Sequence, residues 1–404
     1  MPKGGRAPVP AAGNKRRPLQ FGWNGLVYLW FYILRRGPRA AQRRFQILKN
    51  RRRVIKEAHV ESGFLIAVHI AGGIGDQIII ARFLRDVASV FPDMYFDVFS
   101  NDLTTTKWAF GGNSSFRATY IDSLFSSAHM NYDYSIEISD TVTPISSRIE
   151  AAGARESFAA LLHRAKLYNE ANNDIFALGS QARTLQAIRL VCDNATRHTA
   201  LHHIAGVAYG GDRMSLDQDL TIRRTSGIEG RIYITVHTGF GTDQVTVGRR
   251  STKCYPHFDS VIALMRAKRP ELVFVQLGAR NSEPLAQADI RLLGSTSMPQ
   301  VAALLAGAAL HMDNESGLVH IARCFGTRSC VVFGPTNPDY FGYEANVAIR
   351  PPACGGCWWV TDDWMNLCPR GFAAPICTEW IAPEVVSNSA LMLTESAVAS
   401  QSAS

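Results

Sequence analysis

Helix and strand signals alternate most clearly in residues 298–341, MPQVAALLAGAALHMDNESGLVHIARCFGTRSCVVFGPTNPDYF. The apolar positions predict a helix, a strand, a tight turn, a second helix and a second strand, followed by a glycine–proline loop. The first strand is the apolar run Ala309 to Met312, and residues 313–317 form the turn. The second helix is indicated by apolar residues at helical spacing that stop before Gly326: Leu318, Ile321, Ala322 and Phe325. This order is typical of a layered α/β protein.

The turn in this stretch is a candidate anion-binding site. A strand that turns sharply into a helix leaves the first backbone N–H groups of the helix unpaired, and a diphosphate can accept them. We expect those groups to come from Ser316, Gly317 and Leu318. The alternative is an ordinary βα turn in a doubly wound sheet.

The positive charge of the chain is confined to its N-terminal end. Residues 1–56 contain 15 Lys and Arg and no Asp or Glu, whereas residues 57–404 contain 27 basic and 34 acidic residues. The chain is long enough for two domains, and its 47% hydrophobic and 19% charged residues are typical of a soluble globular enzyme. The basic charge is therefore a property of an arm and not of the folded body.

The arm, residues 1–61, combines a disordered start with an amphipathic segment. Residues 21–34, FGWNGLVYLWFYIL, place aromatic and aliphatic groups on one helical face but are too short to span a bilayer of about 30 Å. Clustered arginines follow, so residues 21–56 suit peripheral contact with an anionic membrane. The alternatives are a helix packed on the protein, a signal-peptide core and a nucleic-acid-binding arm. The acidic body disfavours nucleic acid, and the absence of a clear cleavage site disfavours a signal peptide.

Both halves of the remaining chain show βαβ patterns. The first half, residues 62–205, opens with the buried strand FLIAVHIA from Phe64 and the turn Gly72-Gly73-Ile74-Gly75-Asp76. A dinucleotide fingerprint fails there, because Ile78 occupies the third glycine position. Residues 206–230 read as a linker, residues 231–390 as a second α/β domain, and residues 391–404 as a tail.

Several of these motifs together resemble glycosyltransferase family 9, the ADP-heptose heptosyltransferases of lipopolysaccharide core assembly. The similar segments are Gly72 to Asp76, Lys253-Cys254-Tyr255-Pro256, and Asn314-Glu315-Ser316-Gly317 with the following His320-Ile321-Ala322 and Phe333-Gly334-Pro335-Thr336. The family more often has Asp where this chain has Glu315. The resemblance covers residues 62 to about 390 and implies the GT-B arrangement, in which two Rossmann-like domains face a cleft.

The resemblance implies roles for two charged residues. Asp76, after the first glycine turn, would be the base that deprotonates the acceptor hydroxyl, and its alternative role is capping of the helix that follows. Lys253 would contact the diphosphate of the donor as a mobile point charge, and its alternative is a solvated loop lysine. Arg249 and Arg250 could assist it.

Further donor-binding residues follow from the same resemblance. Glu315, Ser316, Gly317 and Leu318 would hold the diphosphate, with Gly75 and Thr238 beside them, and Glu283 would accept ribose hydroxyls. His320 is either a sugar contact or a packed histidine. Because Lys253 and the helix N–H groups can offset the developing charge, we expect no cofactor and no divalent ion for transfer. The pair Asp217 and Asp219 lies in the linker and is more typical of a solvated acidic pair than of a metal site.

Four cysteines form the pattern Cys354-x2-Cys357-x10-Cys368-x8-Cys377. The first pair has the spacing of structural zinc sites, and four thiolates would make a closed tetrahedral site. The loop also resembles one in the autotransporter heptosyltransferases of family 9, which implies iron as another occupant. Reduced thiols without a metal are the alternative. Trp358, Trp359 and Trp364 are expected to pack this loop.

These observations predict an inverting glycosyltransferase that uses a nucleotide-sugar donor, ADP-heptose-like, and a glycan, glycolipid or protein acceptor. The arm would hold it in the cytoplasm at the inner membrane of a Gram-negative-type bacterium. Two other functions stay open: a non-catalytic nucleotide-sugar-binding scaffold and a nucleic-acid-binding factor that uses the basic arm.

Overall fold

The computed structural model describes residues 49–50, 52–148, 154–239 and 251–402. Most of the predicted arm therefore lies outside the described residues, and so do Arg249 and Arg250. The chain divides into two compact units, Met1–Glu57 and Ala58–Ser404, and the second unit contains both predicted α/β halves. Within the described ranges, no helix has both the length and the apolar character needed to cross a bilayer.

The N-terminal half is built on a five-stranded sheet in the order β3-β2-β1-β4-β5. Its strands are β1 (Phe64–Ile70), β2 (Met94–Ser100), β3 (Phe116–Ile121), β4 (Tyr134–Ile138) and β5 (Val142–Ser147). The first four are parallel, and β5 is antiparallel to β4. As expected for a strand covered on both faces, β1 is almost entirely buried.

The helices of this half connect and cover these strands. They are α1 (Ile74–Val90), α2 (Leu103–Phe110), α3 (Phe125–Ala128), α4 (Ala154–Ala171), α5 (Asn173–Phe176), α6 (Ala182–Cys192) and α7 (Ala200–Ala205). Short 3₁₀ turns occupy Asp122–Leu124, His129–Asn131 and Gly179–Gln181. Helix α1 directly follows the glycine turn and begins at Ile74, so Asp76 lies in its first turn.

The C-terminal half has a six-stranded parallel sheet in the order β11-β10-β9-β6-β7-β8. Its strands are β6 (Tyr233–His237), β7 (Val273–Gly278), β8 (Ile290–Leu293), β9 (Leu310–Asn314), β10 (Ser329–Val332) and β11 (Val347–Ile349). Its helices, with one in the preceding segment, are α8 (Thr221–Thr225), α9 (Phe258–Lys268), α10 (Met298–Gly307), α11 (Gly317–Phe325), α12 (Pro338–Phe341), α13 (Ile376–Glu379) and α14 (Pro383–Ser402).

The stretch 298–341 folds in the predicted order, with one difference at the turn. Strand β9 continues through Asp313 and Asn314, both fully buried, so the turn is shorter than the polar run suggested. Helix α11 ends as expected at Gly326, whose φ of 83° is the left-handed conformation that glycine adopts without strain.

The two halves share an apolar core. One cluster of buried side chains joins residues of α1, among them Ile79 and Phe83, to Ile321 and Ala322 of α11. Helices α1 and α11 pack against each other, and both begin at the carboxyl end of a parallel strand. The beginnings of the two helices are thereby brought together.

The segment predicted to be a linker, residues 206–230, is bonded to both halves. On the N-terminal side, the N–H of Gly210 donates to Asp86 of α1 across 2.8 Å. On the C-terminal side, Arg323 of α11 donates to Asp212 at 2.8 Å, and Asp219 accepts a hydrogen bond from Gln300. The segment is therefore tied to both halves at these points, and the bounds proposed for the two domains remain a prediction.

Candidate active site

The candidate anion-binding turn is the junction of β9 and α11. Ser316 is the N-cap of α11 with an extended backbone, and its Oγ accepts the N–H of Leu318 at 3.2 Å. One of the three N–H groups expected to face an anion is therefore already paired within the protein. The turn still directs the positive end of a nine-residue helix towards the space above the sheet.

Two glycines bring this turn into contact with the glycine turn of the N-terminal half. A Cβ atom added to Gly317 would lie 2.4 Å from Cγ2 of Ile74 and 2.9 Å from the backbone nitrogen of Gly75. A Cβ atom on Gly75 would lie 2.8 Å from Cδ2 of His320 and 3.1 Å from Cα of Gly317. Both positions require glycine because the two backbones approach so closely. The structure thus places the predicted base and the predicted diphosphate site on touching turns.

Asp76 is both a helix cap and half of an ion pair. Its Oδ2 accepts the N–H of Gly73 at 3.0 Å, which is the capping role considered as the alternative to catalysis. Its Oδ1 accepts a hydrogen bond from Nη2 of Arg197 at 2.6 Å. The carboxylate side chain is 36% exposed, so it stays accessible, whereas Arg197 is only 4% exposed.

Arg197 belongs to a row of alternating charges from four parts of the chain. Arg183 contacts Asp140 at 3.0 Å, Asp140 lies 3.7 Å from Arg197, and Arg197 binds Asp76. This row of ion pairs fixes the position of the Asp76 carboxylate through the buried Arg197.

Lys253 lies beside the anion-binding turn, as the resemblance implied. Its Nζ donates to Oε2 of Glu315 across 2.5 Å, and both side chains are about nine-tenths buried. The N–H of Tyr255 donates to Oδ1 of Asn314 at 2.7 Å, which fixes the lysine loop against the end of β9. A lysine at this place can exchange its carboxylate partner for a phosphate.

Sequence reasoning missed a buried acidic group under the turn. Asp313 is completely buried and accepts from Nδ1 of His237 at 2.8 Å, from Nε2 of His311 at 3.0 Å and from Oγ of Ser316 at 2.5 Å. Burial alone would raise the pKa of Asp313, but the two histidines outweigh burial and the net effect is a lowered pKa. The signal was present as two period-two patterns, Thr235-x-His237 on β6 and His311-x-Asp313 on β9, which face each other in the sheet.

His320 is packed and hydrogen-bonded. Its Nδ1 lies 2.6 Å from the hydroxyl of Tyr343, which also accepts from Nη1 of Arg82 at 2.7 Å. Burial and the neighbouring Arg82 hold the pKa of His320 well below its usual value. The imidazole edge that adjoins Gly75 still borders the site, so a sugar contact remains a prediction.

Thr238 and Glu283 lie together at the carboxyl ends of β6 and β7. The backbone carbonyl of Glu283 accepts from Nε2 of Gln276 at 2.7 Å and from Oγ1 of Thr238 at 3.4 Å. The structure therefore gathers the predicted donor-binding residues along one edge of the C-terminal sheet, where ligands of open α/β sheets bind. Their roles as ligands of a donor remain predictions.

Asp219 has a local structural role. Its Oδ1 accepts from the hydroxyl of Thr221 at 2.5 Å at the start of α8, and its Oδ2 accepts from Nε2 of Gln300 at 3.1 Å. Both carboxylate oxygens of Asp219 thus accept hydrogen bonds within the protein, which disfavours a metal site at Asp217 and Asp219.

The cysteine loop packs against the candidate site, and its four thiols lie near one another. Oγ1 of Thr252, next to Lys253, donates to the carbonyl of Trp364 at 2.8 Å. Burial and, to a lesser extent, the neighbouring thiols raise the pKa of Cys357 to about 11 and that of Cys377 to about 12. Within the described ranges, no three His, Cys, Asp or Glu side chains are arranged to hold a metal ion. The metal predicted at Cys354, Cys357, Cys368 and Cys377 remains a prediction.

A known protein family matches the part of the chain that contains the C-terminal residues of this site. Residues 246–351, which contain Lys253, strand β9 and the anion-binding turn, match the family model described as glycosyltransferase family 9 (heptosyltransferase). The chain carries a family 9 region. The resemblance inferred from the motifs is confirmed, and so is the predicted class of enzyme, a glycosyltransferase. No curated protein sequence gives a significant match.

Solved structures to which this chain is similar include heptosyltransferases. The dodecameric iron-containing heptosyltransferase TibC, in complex with ADP-D-β-D-heptose, has a TM-score of 0.54 and 14% identity, and the match covers 84% of this chain and 78% of that chain. A second structure of TibC, from enterotoxigenic E. coli H10407, has a TM-score of 0.53 and 13% identity, over 83% of this chain and 77% of that one. E. coli ADP-heptose LPS heptosyltransferase II has a TM-score of 0.48 and 14% identity, and the match covers 82% of this chain and 98% of that chain.

Because the sequence identities are this low, the similarity to TibC concerns the fold alone. The chain has two sheets with flanking helices, and its fold is similar to that of TibC. The predicted α/β class and GT-B arrangement are therefore confirmed. The basic arm of that prediction lies mostly outside the described residues.

Proposed function

We propose that this glycosyltransferase is an inverting enzyme that moves a heptose-like sugar from a nucleotide diphosphate donor, such as ADP-heptose, to a hydroxyl of a lipopolysaccharide core or another glycan or protein acceptor. The observation that carries the proposal is the contact between Gly75 and Gly317, since it joins the turn that bears Asp76 to the turn that begins α11. A base and a diphosphate site on touching turns are what direct displacement at an anomeric carbon requires.

The chemistry proposed is a single displacement. Asp76 accepts the proton of the acceptor hydroxyl while that oxygen forms a bond to the anomeric carbon of the donor. The bond from this carbon to the diphosphate oxygen breaks on the opposite face, which inverts the configuration. Lys253 and the N-terminal end of α11 offset the charge that develops on the departing diphosphate.

The proposal includes a place of action. The basic residues and the aromatic face of segment 21–56 support peripheral attachment to an anionic cytoplasmic leaflet, where lipid-linked acceptors are found. Retention of the full chain on anionic vesicles, compared with a chain that lacks residues 1–56, tests this part on its own. Retention that is equal for both chains would contradict it.

Transfer assays with an active-site variant test the enzymatic proposal. Asp76→Asn keeps the size and the capping ability of the side chain but removes its basicity, so we expect at least about 100-fold slower transfer from ADP-heptose. Binding of the donor is expected to persist. Asp102→Asn is the matched control, because Asp102 caps α2 by accepting the N–H of Thr105 and lies outside the site. Full activity of the Asp76 variant would overturn the proposal.

One observation favours a second function, a nucleotide-sugar-binding scaffold without turnover. Both charged groups needed for transfer are paired within the protein, Asp76 with Arg197 and Lys253 with Glu315. Tight donor binding by the wild type without any transfer, over a panel of acceptors, would favour this function over catalysis.

A further inference from the structure

We infer that Thr252 is a positioning residue for Lys253, and that through Thr252 the cysteine loop, residues 354–377, supports the lysine. The inference rests on the proposed function, because it takes Lys253 to be the group that meets the diphosphate of the donor. Thr252 carries no charge and lies outside the motif that begins at Lys253. The inference also gives the cysteine loop a part in donor binding.

Lys253 lies in a segment without regular secondary structure. Thr252 and Lys253 form a turn, and α9 begins only at Phe258. The hydrogen-bond ladder of a helix or strand therefore does not fix the backbone of the lysine, and contacts made by its neighbours must do so. On the C-terminal side, such a contact is the hydrogen bond of 2.7 Å from the N–H of Tyr255 to Asn314 at the end of β9.

On the N-terminal side of Lys253, three hydrogen bonds go to two backbone carbonyls of the cysteine loop. The N–H of Thr252 and the hydroxyl of Ser251 both donate to the carbonyl of Met365, each at 2.9 Å. Oγ1 of Thr252 donates to the carbonyl of Trp364 at 2.8 Å. The backbone of Lys253 is thus held from both directions along the chain.

The hydroxyl of Thr252 is the side-chain group that binds Trp364 in this arrangement. Thr252 is 4% exposed and Trp364 is 2% exposed, so water has little access to either partner. Separation of the two would leave a buried hydroxyl and a buried carbonyl without their hydrogen bond, which is unfavourable. The contact therefore resists displacement of the residue that directly precedes Lys253.

The cysteine loop is itself held in place on two sides. The N–H of Trp358 donates to the carbonyl of Pro335, in the loop after β10, at 2.9 Å. Nε2 of Gln181, just before α6, donates to the carbonyl of Val360 at 3.3 Å, and the hydroxyl of Thr184 in α6 donates to the carbonyl of Trp358. Because both halves of the protein bind the loop, its carbonyls offer a fixed support for the turn that contains Lys253.

Binding of ADP to the full chain, measured by calorimetry, tests the inference. ADP is the probe because it carries the diphosphate that Lys253 is proposed to meet. Thr252→Val keeps the size of the side chain and removes its hydroxyl, so we expect the Kd for ADP to rise roughly threefold to tenfold, as the loss of one neutral hydrogen bond does. Thr252→Ser keeps the hydroxyl and should bind ADP as the wild type does. Loss of affinity in both variants, or in neither, would overturn the inference.

A double variant distinguishes a positioning role from a direct contact with the ligand. If Thr252 acts only through Lys253, its hydroxyl has no effect on ADP binding once the lysine is absent. We therefore expect Thr252→Val combined with Lys253→Ala to bind ADP with the same Kd as Lys253→Ala alone. A further rise in Kd in the double variant would overturn the inference and leave the proposed function standing. If the wild type fails to bind ADP, both fall.

Thr327→Val is the matched control for a general loss of stability. Thr327 is 9% exposed, its hydroxyl donates to the carbonyl of Leu305 at 2.9 Å, and it precedes β10 at the edge of the sheet opposite the site. Both Thr→Val variants should lower the melting temperature, but only Thr252→Val should weaken ADP binding. An equal rise in the Kd for ADP in both variants would contradict the positioning role.

Discussion

Nη2 of Arg197 lies 2.6 Å from Oδ1 of Asp76, and this hydrogen bond ties the segment before α7 to the first turn of α1. The arginine is almost fully buried, whereas the carboxylate reaches solvent. An acceptor can therefore approach Asp76 from the open side while Arg197 holds the carboxylate from behind. This relationship makes Arg197 a positioning residue for the proposed base.

Removal of Arg197 should slow transfer without weakening donor binding. In Arg197→Met, Asp76 loses the partner that fixes its orientation, so we expect kcat to fall roughly tenfold to a hundredfold while the donor Kd changes little. Transfer kinetics and donor calorimetry, together with a melting curve, measure the two effects. Arg183→Met is the control at the other end of the row, and its 43% exposed side chain should matter far less. Equal loss of donor affinity and kcat would contradict the positioning role.

The Lys253→Ala substitution should reduce the affinity for the donor. Loss of a charge-assisted contact to phosphate is expected to weaken donor binding by roughly tenfold to a hundredfold. The donor Kd should also depend less steeply on salt concentration in the variant than in the wild type. Lys166→Ala serves as the control, because Lys166 is 63% exposed and pairs only with Glu170 on its own helix. Unchanged donor affinity in Lys253→Ala would remove this residue from the site.

Transfer is expected to be independent of divalent ions. Lys253 and the N-terminal end of α11 are placed to meet the negative charge of the leaving group, which is the task a metal performs in other transferases. Transfer rates measured with and without excess EDTA should agree within error. A loss that Mg²⁺ restores would show that these groups are insufficient.

Arg82 should contribute strongly to stability. Its buried guanidinium in α1 donates to the Tyr343 hydroxyl, to the carbonyl of His320 at 2.8 Å and to Sγ of Cys324 at 3.2 Å. Arg82→Met would remove these three buried hydrogen bonds, and we expect a loss of about 1–3 kcal/mol in the free energy of unfolding. Arg350→Met, at an exposed ion pair, should change it by less than about 1 kcal/mol in the same denaturant titrations. Equal effects of the two changes would refute this prediction.

Asp86 should make stability sensitive to acid. Burial would raise its pKa, but hydrogen bonds from His202, Arg85 and the N–H of Gly210 outweigh burial and lower the pKa from 3.8 to about 2. Because the folded pKa is the lower one, the stabilisation is complete above about pH 4 and is lost as the pH falls towards 2. The contribution is roughly 2 kcal/mol. Asp86→Asn should flatten the stability curve in this range, and the exposed Asp174→Asn should not.

Local patterns in the sequence were sufficient to predict the two turns of the site and the elements next to them. Apolar periodicity predicted strand β9 and helix α11, and the small residues at 75 and 317 indicated sharp turns at strand ends. Parallel strands end at the same edge of a sheet, so the carboxyl ends of β1 and β9 were expected to carry the site. The packing of α1 on α11 then brings these edges together.

The partners of the site residues could not be predicted in the same way. Arg82 lies within the apolar run of α1, and nothing in its neighbourhood in the sequence indicates Tyr343, 261 residues away, as its partner. Arg197 lies in a segment that carried no recognisable chemistry. Buried polar groups are paired by the tertiary fold, and the sequence shows only one member of each pair at a time.

The close backbone contact between Gly75 and Gly317 also limits the routes by which substrates can reach the site. While these two turns touch, no sugar ring can pass between them. The Asp76 side chain is 36% exposed, so both substrates of the proposed reaction would reach it from this open side.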